Sequence, residues 1–147
     1  TTELSIGMHI LLLDHLTVRA VEAERIKRAH PELLEKGAAA EIGGCAFLDP
    51  AGSGACRIYS DRPSVCRSQG LPLRVFFENE EDEIEEERDI CPLNLEGGPA
   101  LEDLSEDEVW LIGPHELALE KIDTDFSGGE RARDEDRVSL RGLFKKA

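Results

Sequence analysis

A chain of 147 residues with 40% hydrophobic side chains has material for one domain with a modest core, and a second full domain is not expected. The formal net charge of −15, from 32 acidic against 17 basic residues, argues against a surface that neutralises nucleic-acid phosphates, which needs clustered Lys and Arg. The longest apolar run, Ile10-Leu11-Leu12-Leu13, is too short to cross a bilayer and no cationic leader precedes it, so a cytoplasmic protein is expected, with Thr1 pointing to a trimmed or incomplete start.

Thr17 is placed to cap a helix in which Val18, Val21, Ile26 and Ala29 follow the spacing of one buried stripe, and His30-Pro31 should end or kink it. A short helix over 31–36 follows, with Pro31 in its first turn and Gly37 past its last. From 43 to 70, glycines, prolines and Ser-Asp pairs break both periodicities and predict irregular chain with short turns or strands. Leu71, Leu73, Val75 and Phe77 then alternate as strand residues do, and 84–90 can return antiparallel, so a β-hairpin should deliver Cys91.

The run from Glu78 to Asp89 carries nine acidic side chains, which we read as a solvated hairpin tip that prevents edge pairing, in preference to a surface for cations or a basic partner. Ser105-Glu106-Asp107-Glu108 has the capping-box spacing, with Val109, Trp110 and Ile112 as a short apolar face. A new helix is expected from Pro114 through Leu117, Leu119 and Ile122. The stretch from Ser127 to Arg137 reads as a linker, and 138–144 is apolar enough to dock. The expected fold is a small α+β domain, mainly helical, with irregular cysteine-bearing loops, one β-hairpin, an N-terminal helix pair and C-terminal helices packed against the loops. Residues 1–126 would form the domain and 127–147 the linker and docking segment.

Four cysteines, Cys45, Cys56, Cys66 and Cys91, lie in this irregular region, separated by ten, nine and twenty-four residues. In a reducing cytosol such thiols are metal ligands or free thiols, whereas two disulfides would require export. None forms a CxxC knuckle, so spacing alone is a weak metal signal. Arg57, Arg62, Arg67 and Arg74 fall between Cys56 and position 74 with Asp61 as the only acid in that stretch, and such cations would offset the charge of ligating thiolates and lower thiol pKa. The other reading is that the cysteines are small buried hydrophobes and the arginines hydrogen-bond loop carbonyls. Composition and spacing leave both open.

Cys45-Ala46-Phe47-Leu48, Cys56-Arg57-Ile58-Tyr59, Arg62-Pro63-Ser64-Val65-Cys66-Arg67 and Cys91-Pro92-Leu93-Asn94 resemble the bacterial YkgJ-like cysteine-cluster family, and the likeness extends over about 4–126. The resemblance implies zinc or iron chelation. The family also has a cysteine-rich motif of the CxxxCxxCC type before the first helix, and aligning it by Gly7 puts Leu4, Met8, Leu11 and Leu12 at the thiol positions. Either part of a cluster site has become packed core, or the true motif lies upstream. A shared eight-cysteine cluster would be lost, whereas a four-cysteine site would survive. His9 and His15 flank the altered segment and are secondary ligand candidates, while His30 and His115 are read as structural.

Three functions follow. The first is a metal-binding protein in which Cys45, Cys56, Cys66 and Cys91 hold a zinc ion or an iron–sulfur cluster, in a structural or electron-transfer role. The second is an accessory subunit of a methyltransferase or oxidoreductase. An independent enzyme is not expected, because no GxGxxG, GxxxxGK, GxSxG or HExxH occurs, leaving Cys66 beside Arg67 as the one conceivable nucleophile. The third is an acidic module that meets a protein partner through its hairpin, with metal-free structural cysteines.

Overall fold

The computed structural model describes residues 15–90 and 97–146, so Cys91 and the segment bearing Leu4, Met8, His9, Leu11 and Leu12 lie outside the described residues. It is a small α+β fold whose chain divides into two compact units. One takes the residues up to Pro63 together with those from Asp123 onward, and the other is Ser64–Ile122.

In the first unit, Thr17–Val18 (β1) pairs antiparallel with Val138–Ser139 (β5), Val18 facing Val138. Thr17 is therefore a strand residue and not the expected cap. Arg137 holds it there by donating to the Thr17 hydroxyl at 2.9 Å and to its carbonyl at 2.8 Å. Helix α1, Ala20–Ala29, starts two residues later, after Arg19, and buries Ala23 and Ile26. The Glu22 carboxylate accepts the Arg19 N–H, while the Val21 N–H donates at 3.0 Å to Asp123, a carboxylate with no exposed surface 102 positions further on. Orphan amides and the positive end of the helix dipole explain why an acid is placed there.

Helix α2, Pro31–Lys36, has the expected Pro at its start and Gly37 at its end. Gly37 is extended rather than left-handed, and what requires glycine is space, because a Cβ there would fall 2.5 Å from the Leu33 carbonyl oxygen. The 138–146 segment threads through this unit as β5 and a single 3-10 turn. It buries Leu140, Leu143 and Phe144 with Phe47, whose ring centroid lies 5.0 Å from that of Phe144.

The second unit opens with the single helical turn α3, Ser64–Arg67, and carries the hairpin Leu73–Glu78 (β2) and Ile84–Asp89 (β3). Trp110–Leu111 (β4) adds parallel to β2, giving the order β3-β2-β4. The 105–108 capping box forms, with Glu108 accepting from the Ser105 amide and hydroxyl, but it closes only one 3-10 turn before the chain becomes β4. Helix α4 then runs over Gly113–Phe126, its last turn belonging to the first unit. No helix among the described residues is long and apolar enough to cross a membrane.

Removing the buried acceptor in Asp123→Ala should cost roughly 1–2 kcal/mol, the usual worth of a helix N-terminal cap. Exposed Asp125→Ala should change little. Urea denaturation of both variants checks this, and equal midpoints would remove Asp123 from its capping role.

Candidate metal centre

Cys45 starts a turn in which the Leu48 N–H donates to the Cys45 carbonyl at 3.0 Å. Leu48 pairs in turn with Cys56 across an antiparallel bridge, flanked by bonds from the Asp49 N–H to Ala55 and from the Arg57 N–H to Phe47. The two cysteines thus stand on one short paired loop, with half-buried, free thiols. The loop between them turns on Asp49, whose carboxylate accepts from the Ser53 hydroxyl and the Ala51 amide; both bonds hold its pKa below the usual carboxylate range.

Two guanidinium groups fix the approach to Cys45. Arg57 donates at 2.9 Å to both the Ala38 and Ala46 carbonyls and lies over the Phe144 ring at 5.3 Å. Arg141 reaches back about a hundred positions to the carbonyls of Ala40, Glu41 and Gly44. Gly43, between them, sits at φ 104°, a backbone that side-chain-bearing residues rarely adopt, so the ring of carbonyls depends on glycine there.

Of the arginines that the sequence places near the cysteines, Arg57 and Arg62 bind loop carbonyls. Arg62 donates to the Tyr59 carbonyl and stacks on its ring at 3.8 Å. Arg74 belongs to the hairpin, between Glu86 at 3.6 Å and Glu106 at 3.7 Å. Arg141 escaped the sequence reading; the available signal was a lone charge inside the apolar run 138–144.

Cys66 is half-buried in α3, in the second unit. His15 is exposed, and His9 lies outside the described residues. His30, for which the sequence offered no partner, has its Nε2 2.9 Å from Asp61, which also accepts from Arg25 at 3.1 Å. His115 gains Ser64 at 3.1 Å and the Trp110 ring at 5.1 Å. Among the described residues, no three His, Cys, Asp or Glu side chains converge as metal ligands do. The described ligand types suit a soft metal, but they do not by themselves complete a coordination shell.

Replacing Arg141 by Ala should destabilise the chain by roughly 2–3 kcal/mol, since half-buried carbonyls lose charged donors. Arg141→Lys should restore only part, as ammonium lacks the planar fork. Thermal unfolding of the pair decides it, full rescue by Lys being the contrary outcome. The Arg25 and His30 hydrogen bonds lower the pKa of Asp61, in that order of weight. Its stabilisation is thus present above the unfolded value of about 3.9 and is lost as pH falls through the lower folded value. Asp61→Asn should be less stable than the parent at pH 6, and the gap should close on acidification below about pH 4. A gap that widens towards acid would contradict this.

A family model, CxxCxxCC, described as "Putative zinc- or iron-chelating domain", matches residues 13–92, more than half of the chain. No curated protein and no solved structure matches. The matched span takes in Cys45, Cys56, Cys66 and Cys91 and agrees with the resemblance drawn from their motifs. The chain therefore belongs to the CxxCxxCC family, whose description supports a metal-binding role in general.

Proposed function

We propose that Cys45, Cys56, Cys66 and Cys91 bind one zinc ion or one iron–sulfur cluster through their thiolates, in a structural or electron-transfer role. The observation that carries the reading is the paired loop, on which Cys45 and Cys56 are held as free, half-buried thiols by the Leu48–Cys56 bridge and the Arg57 clamp. Ordering two ligands in advance lowers the entropy that metal binding must overcome.

A four-thiolate set accepts tetrahedral zinc and iron–sulfur clusters alike, so the donors define a class of metal. The charge of a tetrathiolate site needs nearby donors. In this loop Arg57 commits one terminal nitrogen to the Ala38 and Ala46 carbonyls and keeps a buried Nε without a partner among the described residues. Metal would add folding free energy where the cysteine loops hold few repeating hydrogen bonds.

Zinc and iron analysis of anaerobically purified protein, with its visible spectrum, tests the proposal. One metal site per chain is expected, lost in Cys45→Ser and Cys56→Ser, with chelator lowering the melting temperature and opening the thiols to alkylation. Colourless, metal-free protein that stays folded in chelator would exclude the site.

A further inference from the structure

The two faces of the hairpin are unlike. Cross-strand register places Arg74, Phe76 and Glu78 opposite Arg88, Glu86 and Ile84, and Leu73, Val75 and Phe77 opposite Asp89, Glu87 and Glu85. The first face pairs three of its four charges, leaving Glu78 without an ion pair among the described residues, and it too exposes Phe76 and Ile84. Glu86 is paired by Arg74 and Arg88, the Arg74 guanidinium also lies over Phe76 at 5.4 Å, and Arg88 donates to the Leu101 and Leu104 carbonyls.

The second face pairs none of its charges among the described residues. Glu85, Glu87 and Asp89 are exposed and form no ion pair with any described residue, Glu85 accepting only from the Asn79 amide. Beside this carboxylate row runs an apolar row in which Val75 keeps 36% and Phe77 40% of its surface exposed. An acidic edge that only guards against strand pairing needs no exposed aromatic next to it. Apolar side chains left in water beside unpaired charges of one sign are the composition of a docking face.

From this juxtaposition we infer that the Val75–Phe77/Glu85–Asp89 face docks a basic segment of another protein, one in which cationic side chains alternate with apolar ones. The charge selects among occupants. A second copy would bring the same carboxylates face to face, and nucleic acid or an anionic membrane would be repelled. A segment with Lys or Arg beside apolar side chains would meet the carboxylate row with its cations and the Val75–Phe77 row with the rest. The contact lies within one unit and uses no cysteine, so it stands or falls apart from the metal site.

The test uses the full chain and a short fluorescent peptide alternating Lys and Val, with a Glu-Val peptide as comparison. The Lys-Val peptide should bind with a steep salt dependence. The exposed double variant Glu85→Gln/Glu87→Gln should weaken binding about tenfold and flatten that dependence, as expected for two exposed charge contacts. Phe77→Ser should also weaken it, whereas Ile84→Ser on the other face and Glu80→Gln/Glu81→Gln at the tip should change it less than about twofold. Circular dichroism confirms that each variant is folded. Equal losses from face and tip variants would mean diffuse attraction by a net-negative chain, and would overturn the proposal. So would no binding, concentration-dependent self-association lost in Phe77→Ser, or binding of phosphatidylserine vesicles through this face.

Discussion

Everything around the cysteine loop depends on carbonyl oxygens that have no secondary structure to bond with. Residues 38–46 run past the buried side chains Ala46, Phe47 and Phe144, and the carbonyls of Ala40, Gly44 and Ala46 accept their bonds in part-buried positions, where an unmet carbonyl would be costly. Arg57 meets this need through its Nη2 alone and Arg141 from far along the chain through both terminal nitrogens, each gathering carbonyls that one amide could not reach together. The bridge that sets Cys56 against Leu48 continues from the same loop, so cation–carbonyl bonds position thiols that they do not touch.

That arrangement makes the C-terminal segment part of the first unit's interior. Leu140 and Lys145 donate their amides to the Leu16 and Leu34 carbonyls, and Val138 pairs with buried Val18. Asp123 likewise caps α1 from far along the chain. These contacts join the ends of the sequence, so loop closure must precede most of the stabilisation they provide, a pattern that slows folding.

The second unit is built on another economy. Val109 is the one buried apolar side chain among its described residues, and the hairpin is held by its ladder, by β4 and by the Arg74 and Arg88 networks. Strand alternation in 71–77 was visible in the sequence, but it does not report burial here. Val75 and Phe77 are exposed beside acids, and Phe76 on the other row is exposed too, with the Arg74 guanidinium over its ring.

Elements with a local cause are legible in the chain alone: the two N-terminal helices with Pro31 and Gly37 at their boundaries, the hairpin, the helix from Gly113, and the cysteine motifs that carry the family. Boundaries moved where distant chain competed. Thr17 became a strand residue because Val138 and Ser139 arrive beside it, and Trp110-Leu111 became β4 because β2 offers an edge. Tertiary structure alone decided that Arg57 and Arg141 serve carbonyls, that Cys45 and Cys56 share a loop, and that His30 meets Asp61. The physical reason is range: propensity and capping act over one helical turn, whereas a guanidinium or a buried carboxylate is assigned its partner only when packing brings remote segments together.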